Sequence, residues 1–190
     1  MVLLLWWGQQ VHRPLDLPTE AQLELVHSQE YLHAFLHGRL DEQRMRRIGL
    51  VVIGQCLAVQ VLLAEGAVSR LLVVDLDVHQ GDGTAVCLAD EPRAFTFSMH
   101  CESNFPARKA TSDLDIGLPD GCANDQFMAC LGRTLPELLD SVRPDLVLFD
   151  AGVDVHEGDG LGRLALTDAG LMRREMCVLD ACLARGVPVA

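Results

Sequence analysis

Two short runs, Leu71-Leu-Val-Val-Asp75 and Asp145-Leu-Val-Leu-Phe149, are apolar at consecutive positions and bounded by polar residues. That is the pattern of strands buried on both faces of a parallel sheet. Arg93 to Met99 reads as another strand, and Val187-Pro-Val-Ala190 as the start of one more. Helical patterns lie between them, from about Cys56 to Glu65 (stopped by Gly66), from about Asn124 to Asp140, and from a Thr167 cap to about Arg185. Further upstream, Thr19 and Gln22 form a capping-box signal after Pro18, which predicts a helix to about His37 ended by Gly38. Helices alternating with apolar strands predict an α/β fold, a three-layer parallel sheet flanked by helices. No repeat or linker divides residues 1–190, so the chain reads as a single domain, with residues 1–17 an atypical start.

Both apolar strands run directly into carboxylates. The first continues as Asp75-Leu-Asp77-Val-His79-Gln-Gly81-Asp-Gly83, the second as Asp150-Ala-Gly-Val-Asp154. In open parallel sheets, sites form at the carboxyl ends of the strands, so the two clusters are expected on one rim. If the chain stays extended, residues two apart share a face, which puts Asp75, Asp77 and His79 together. Two like charges ~4 Å apart repel by about 4 kcal/mol even at an effective dielectric of 20, a penalty that a bound cation removes. Zinc suits two carboxylates and one neutral imidazole with a fourth position open. Asp77, His79 and Asp154 fit that set, which leaves Asp75 to support them or to help hold a monovalent cation. The glycines at 81 and 83 let the chain turn sharply beside the site.

Composition narrows the partners. A formal charge of −12 argues against direct nucleic-acid binding, which needs clustered lysine and arginine. Seven cysteines, an odd number without a C-x-x-C pair, fit reduced thiols in an intracellular protein, cytoplasmic or nuclear. The opening Met1-Val-Leu-Leu-Leu-Trp-Trp lacks a basic flank and stops at Gly8, and the apolar run from Leu50 to Ala64 is too short for a bilayer, so no membrane crossing is expected.

At these motifs the sequence resembles the histone deacetylase superfamily, particularly its class IV-like and bacterial members. The likeness rests on Val73-Val-Asp-Leu-Asp-Val-His-Gln-Gly-Asp-Gly83, on Phe97-Ser-Met-His100 and on Asp150-Ala-Gly-Val-Asp-Val-His-Glu-Gly-Asp-Gly-Leu-Gly162. Val26-His-Ser-Gln-Glu-Tyr31, Gly38-Arg-Leu-Asp41 and Met45-Arg-Arg-Ile-Gly-Leu50 also look like the family's amino-terminal part. The resemblance implies an arginase/deacetylase-like fold, incomplete in this chain. It implies Zn2+ on Asp77, His79 and Asp154, and a K+ or Na+ ion near Asp75, Ser98 and the Met99 backbone. The implied substrates are acetyl-lysine in histones or other proteins, or an acetylated polyamine.

The sequence departs from the family pattern in three places. It contains no His-His pair, which in the family serves as general acid and base. The stretch that should carry that pair, near residues 50–56, is replaced by a helix that follows almost directly. The resemblance also places the oxyanion-stabilising tyrosine in a loop beyond Ala190. The catalytic residues are thus unassigned, and the expected activity is impaired. The alternative is a catalytically inactive paralogue or fragment that binds metal or protein. His100 and His156 are weak substitutes, and His33 with His37, four apart on a helix, reads as a helix face. Asp75-Leu-Asp77-Val also begins like an aspartyl-phosphatase motif, but His79 stands where Thr or Val belongs. Gly81 replaces the second aspartate that an arginase-like two-metal site requires.

Overall fold

The computed structural model describes residues 5–7, 10–12 and 50–190, with side chains from residue 54 onward. The helix expected between Thr19 and His37, and His33 with His37, lie outside the described residues.

Four parallel strands form the centre: β3 (Leu71–Asp75), β4 (Ala94–Cys101), β5 (Leu114–Leu118) and β6 (Leu146–Asp150), in the spatial order β5-β4-β3-β6. The register sets Asp75 opposite Asp150 on one side and opposite Ser98 on the other. The final residues extend the sheet past β6, where the Val147 and Phe149 N–H groups donate to the carbonyls of Pro188 and Ala190 at 2.9 and 2.8 Å. A separate antiparallel pair joins β1 (Leu5–Trp7) to β2 (Gln10–His12), where the sequence pattern predicts no element.

Alternation along the strands builds two cores, because successive side chains point to opposite faces. Leu72, Val74, Phe97, Met99 and Val147 face α3 (Asn124–Val142) and α4 (Asp168–Leu183), with Phe127, Leu131, Leu135 and Val178 buried against them. Leu71, Val73, Ala94, Leu146 and Leu148 face the other way, onto Cys56, Val59 and Leu63 of α1 (Leu50–Ala64) and Leu88 of α2 (Asp82–Leu88). The result is the expected three-layer arrangement. Thr167 caps α4 as its sequence position predicts, its hydroxyl accepting the Gly170 N–H at 3.2 Å.

Three local expectations need correction. Residues 50–56 belong to α1, so the helix begins about two turns earlier than its apolar pattern suggests. Asp82 and Gly83 open α2 instead of a bare turn. The extended geometry assumed beyond Asp75 is also absent, because β3 stops there and residues 77–79 are bent.

Candidate metal centre

The rim of the sheet is shaped by aspartates that fold the chain back on itself. Where β3 ends, the Asp77 N–H donates to Asp75 Oδ1 at 3.0 Å, and the His79 N–H donates to Asp77 Oδ1 at 2.7 Å. These are two successive aspartate turns, each side chain satisfying an amide two residues on that the ended strand leaves free. Asp154 reaches across from the loop after β6, and its Oδ1 accepts the Val78 N–H at 3.0 Å. Neither glycine beside these carboxylates leaves room for a side chain. A Cβ on Gly81 would collide with Asp75 Oδ2, and one on Gly152 with Asp77 Oδ2.

These turns bring Asp77, His79 and Asp154 together although the strand does not run through them. One donor atom from each lies within 4.8 Å of the others. The His79 Nδ1 atom sits 3.0 Å from both Asp77 Oδ1 and Asp154 Oδ2, between the two carboxylates where a cation would be shared. All three side chains are a quarter to a third exposed, so the cluster opens outward.

Asp75 lies beneath them, almost wholly buried, opposite Ser98 in the register. The Ser98 hydroxyl lies 3.4 Å from the Gly81 amide and 2.9 Å from His100 Nδ1, and Met99 packs its side chain into the core. Asp75, Ser98 and the Met99 backbone therefore adjoin one another beside the ends of β3 and β4.

Charge in this region is under-compensated. Burial, then the neighbouring Asp150 charge, pushes the Asp75 carboxyl well above the usual carboxylate range. Burial raises Asp77 to about 6, with Asp154 adding to the rise and the His79 amide and charge opposing it. Asp150 is raised by burial and then by Asp154. The donor set fits a cation on both counts, convergent hard ligands and excess negative charge.

The two histidines considered as substitutes are committed elsewhere. His100 is fully buried beside Ser98, and burial lowers its pKa. His156 Nδ1 accepts the Gly158 N–H at 3.0 Å while its Nε2 faces Asp168 at 3.3 Å, so both ring nitrogens have partners. Sequence reasoning missed Arg174, buried on α4, which donates to the carbonyls of Leu76, Ala151 and Gly152 behind the ligand loops. A signal was present, because Gly170, Arg174, Val178 and Cys182 are the buried positions four apart on α4, and a charged residue stands in that series.

Similarity to known proteins agrees with this geometry. Residues 51–189 match the model of the histone deacetylase domain. An uncharacterised protein of Picosynechococcus sp. is 43% identical over 96% of the chain and 77% of its own length. That alignment runs over 231 positions, longer than the 190 residues here, so the relative carries internal residues with no counterpart in this chain. Histone deacetylase 2 of Arabidopsis thaliana is 29% identical over 64% of the chain and 32% of its own length. The crystal structure of an HDAC homologue from Aquifex aeolicus superposes with a TM-score of 0.60 at 22% identity, over 67% of this chain and 37% of that one, and shares its fold. The chain thus spans about a third of the length of these last two proteins, and by its domain match over residues 51–189 it belongs to the histone deacetylase family.

Proposed function

We propose that Asp77, His79 and Asp154 hold a zinc ion and that the chain derives from a zinc-dependent deacetylase of acetyl-lysine in histones or other proteins, with impaired turnover in its present form. The observation that carries this is the placement of one imidazole nitrogen 3.0 Å from carboxylate oxygens of both aspartates at the carboxyl ends of β3 and β6. When bound, zinc would supply Lewis acidity toward an amide carbonyl and lower the pKa of a coordinated water. The chain's own residues orient the ligands through the aspartate turns and leave the cluster open on one side. Val153 and Leu161, exposed in the loop that carries Asp154, offer apolar surface to the alkyl stem of an acetylated lysine or polyamine. Asp75, Ser98 and the Met99 backbone form the proposed K+ or Na+ site, supported by the burial of a carboxylate that a cation would neutralise.

Proton transfer is where the chain falls short. It has no His-His pair, and His156 accepts the Gly158 N–H at Nδ1 while its Nε2 faces the Asp168 carboxylate. Without the His-His pair that serves the family as acid and base, on the order of a few kcal/mol of transition-state stabilisation is lost. The long alignment with the Picosynechococcus protein is consistent with internal residues absent from this chain, and we place them near residues 50–56, where the resemblance expects the pair. A second reading, a metal-binding or protein-binding paralogue without turnover, is favoured by the same missing pair.

Acetate release from an acetyl-lysine peptide by the zinc-loaded chain separates the two. Slow release that disappears in Asp154→Ala supports residual deacetylase chemistry. Release at the background rate, with zinc bound, supports the inactive paralogue. Robust release would contradict the impairment.

A further inference from the structure

Arg174 has no place in a stability account built on apolar packing. Its side chain is 0% exposed, on a helix face whose other buried positions are Gly170, Val178 and Cys182. A guanidinium buried without full pairing is costly, and a methionine would fill similar volume without that cost. The question is what its donors hold.

They hold backbone, and on both ligand loops at once. One terminal nitrogen of Arg174 donates to the Leu76 carbonyl at 3.1 Å and to the Gly152 carbonyl at 2.7 Å. The other donates to the Ala151 carbonyl at 3.1 Å and to Glu175 Oε1 at 2.6 Å. Leu76 immediately precedes Asp77. Ala151 and Gly152 precede Asp154 by three and two residues. The planar fork fixes the carbonyls relative to each other, and the Phe149 ring lies beneath the guanidinium with its centroid 5.9 Å away. The Leu76 N–H also donates to the Asp150 carbonyl at 3.1 Å, which continues the sheet pairing one residue past the strands. Past that point, among the described residues, Arg174 is the side chain that donates to carbonyls of both loops.

We propose that Arg174 is a positioning residue for the metal centre, clamping the loop after β3 to the loop after β6 so that Asp77 and His79 meet Asp154 at ligating distance. The proposal rests on the metal-centre reading above. A second consequence of the same geometry is selectivity for Arg over Lys, since an ammonium is a point donor and cannot span three carbonyls from two loops.

The test uses zinc alone as the probe. Zinc affinity is measured by chelator competition on the wild-type chain, Asp154→Ala, Arg174→Met and Arg174→Lys, and the visible spectrum of the cobalt-substituted proteins reports ligand geometry. The expected result is a zinc affinity lowered about 10–100-fold in Arg174→Met, the range for losing a group that orients metal ligands, with a smaller loss in Arg174→Lys and a shifted cobalt spectrum in both. A merely structural role predicts a changed melting temperature with unchanged affinity and spectrum, and that result overturns the proposal. If Arg174→Met does not fold, Arg174→Lys decides alone, and wild-type affinity and spectrum in that variant overturn the clamp. Equal zinc binding by wild type and Asp154→Ala would instead remove the metal centre itself. Loss in Asp154→Ala with none in the Arg174 variants removes only the clamp.

Discussion

Carboxylates at the carboxyl-terminal rim of the sheet and carboxylates around its periphery respond to the same fold in opposite ways. At the periphery, three carboxylates show the first response. Asp140 meets the Arg185 guanidinium at 2.7 and 3.1 Å, Glu91 meets Arg93, and Asp159 accepts the amides of Gly162 and Leu161. Those donors hold all three below the usual carboxylate range. At the rim, Asp75, Asp77 and Asp150 are pushed upward, first by burial and then by neighbouring aspartates. Among the described residues the guanidinium buried nearby is Arg174, and most of its hydrogen bonds go to carbonyls. The difference teaches what each group is for. These three peripheral carboxylates are satisfied by the chain, whereas the rim aspartates are left with a negative charge that a cation would complete.

The sharpest way to break this comparison is Asp77→Asn. It removes a proposed ligand, so zinc affinity should fall beyond the about 100-fold typical of losing a mere supporting group. The metal-free variant should at the same time be more stable than metal-free wild type at pH 8, by on the order of 2 kcal/mol. The sign follows from the raised carboxyl. A folded value of about 6 against 3.8 unfolded makes ionisation disfavour the folded chain, with the penalty complete above pH 6 and absent below about pH 4. Chemical denaturation across that range should show the advantage of Asp77→Asn shrinking to nothing as pH falls.

Asp75→Asn sharpens the contrast through stability alone, without removing a proposed zinc ligand. Its amide oxygen can still accept the Asp77 N–H, so the turn survives while the buried charge is lost. The metal-free variant should melt higher than wild type at pH 8 and equally at low pH, and a lower melting temperature at pH 8 would contradict the reading of Asp75 as uncompensated. The smallest change is expected from Asp140→Asn at the periphery. Arg185 lowers the Asp140 carboxyl, so its contribution is present above the unfolded value and lost as pH falls through the folded one. The variant should melt slightly lower than wild type at neutral pH and no lower in acid, opposite in sign to the rim variants.

The parts legible in the sequence were those whose burial is two-sided. β3 and β6 lie between helices on both faces, so their apolar runs admitted no other reading. β5 was missed because Leu114-Asp-Ile-Gly-Leu118 sits at an edge and is half-exposed over most of its length. α2 was missed because its glycine-bounded start looked like a turn, and the β1–β2 pair because its apolar residues carry no alternation to read. At the site, residue types and strand-end context singled out Asp77, His79 and Asp154, and the structure brings the three together. The geometry assumed for them was different, since an extended chain would point Asp75, Asp77 and His79 one way, whereas two hydrogen-bonded turns separate the buried Asp75 from the open pair. Arg174 lies about a hundred residues from Leu76 in the chain, and no local pattern relates two groups joined only by the packing of α4 on the sheet.

The central claim, that the rim is a metal centre, is tested most directly by zinc content. The wild-type chain and Asp154→Ala should be purified in parallel and metal measured per chain. The account predicts one zinc per wild-type chain, removable by chelator, and none in the variant. No zinc in the wild type, or the same amount in both, would contradict it.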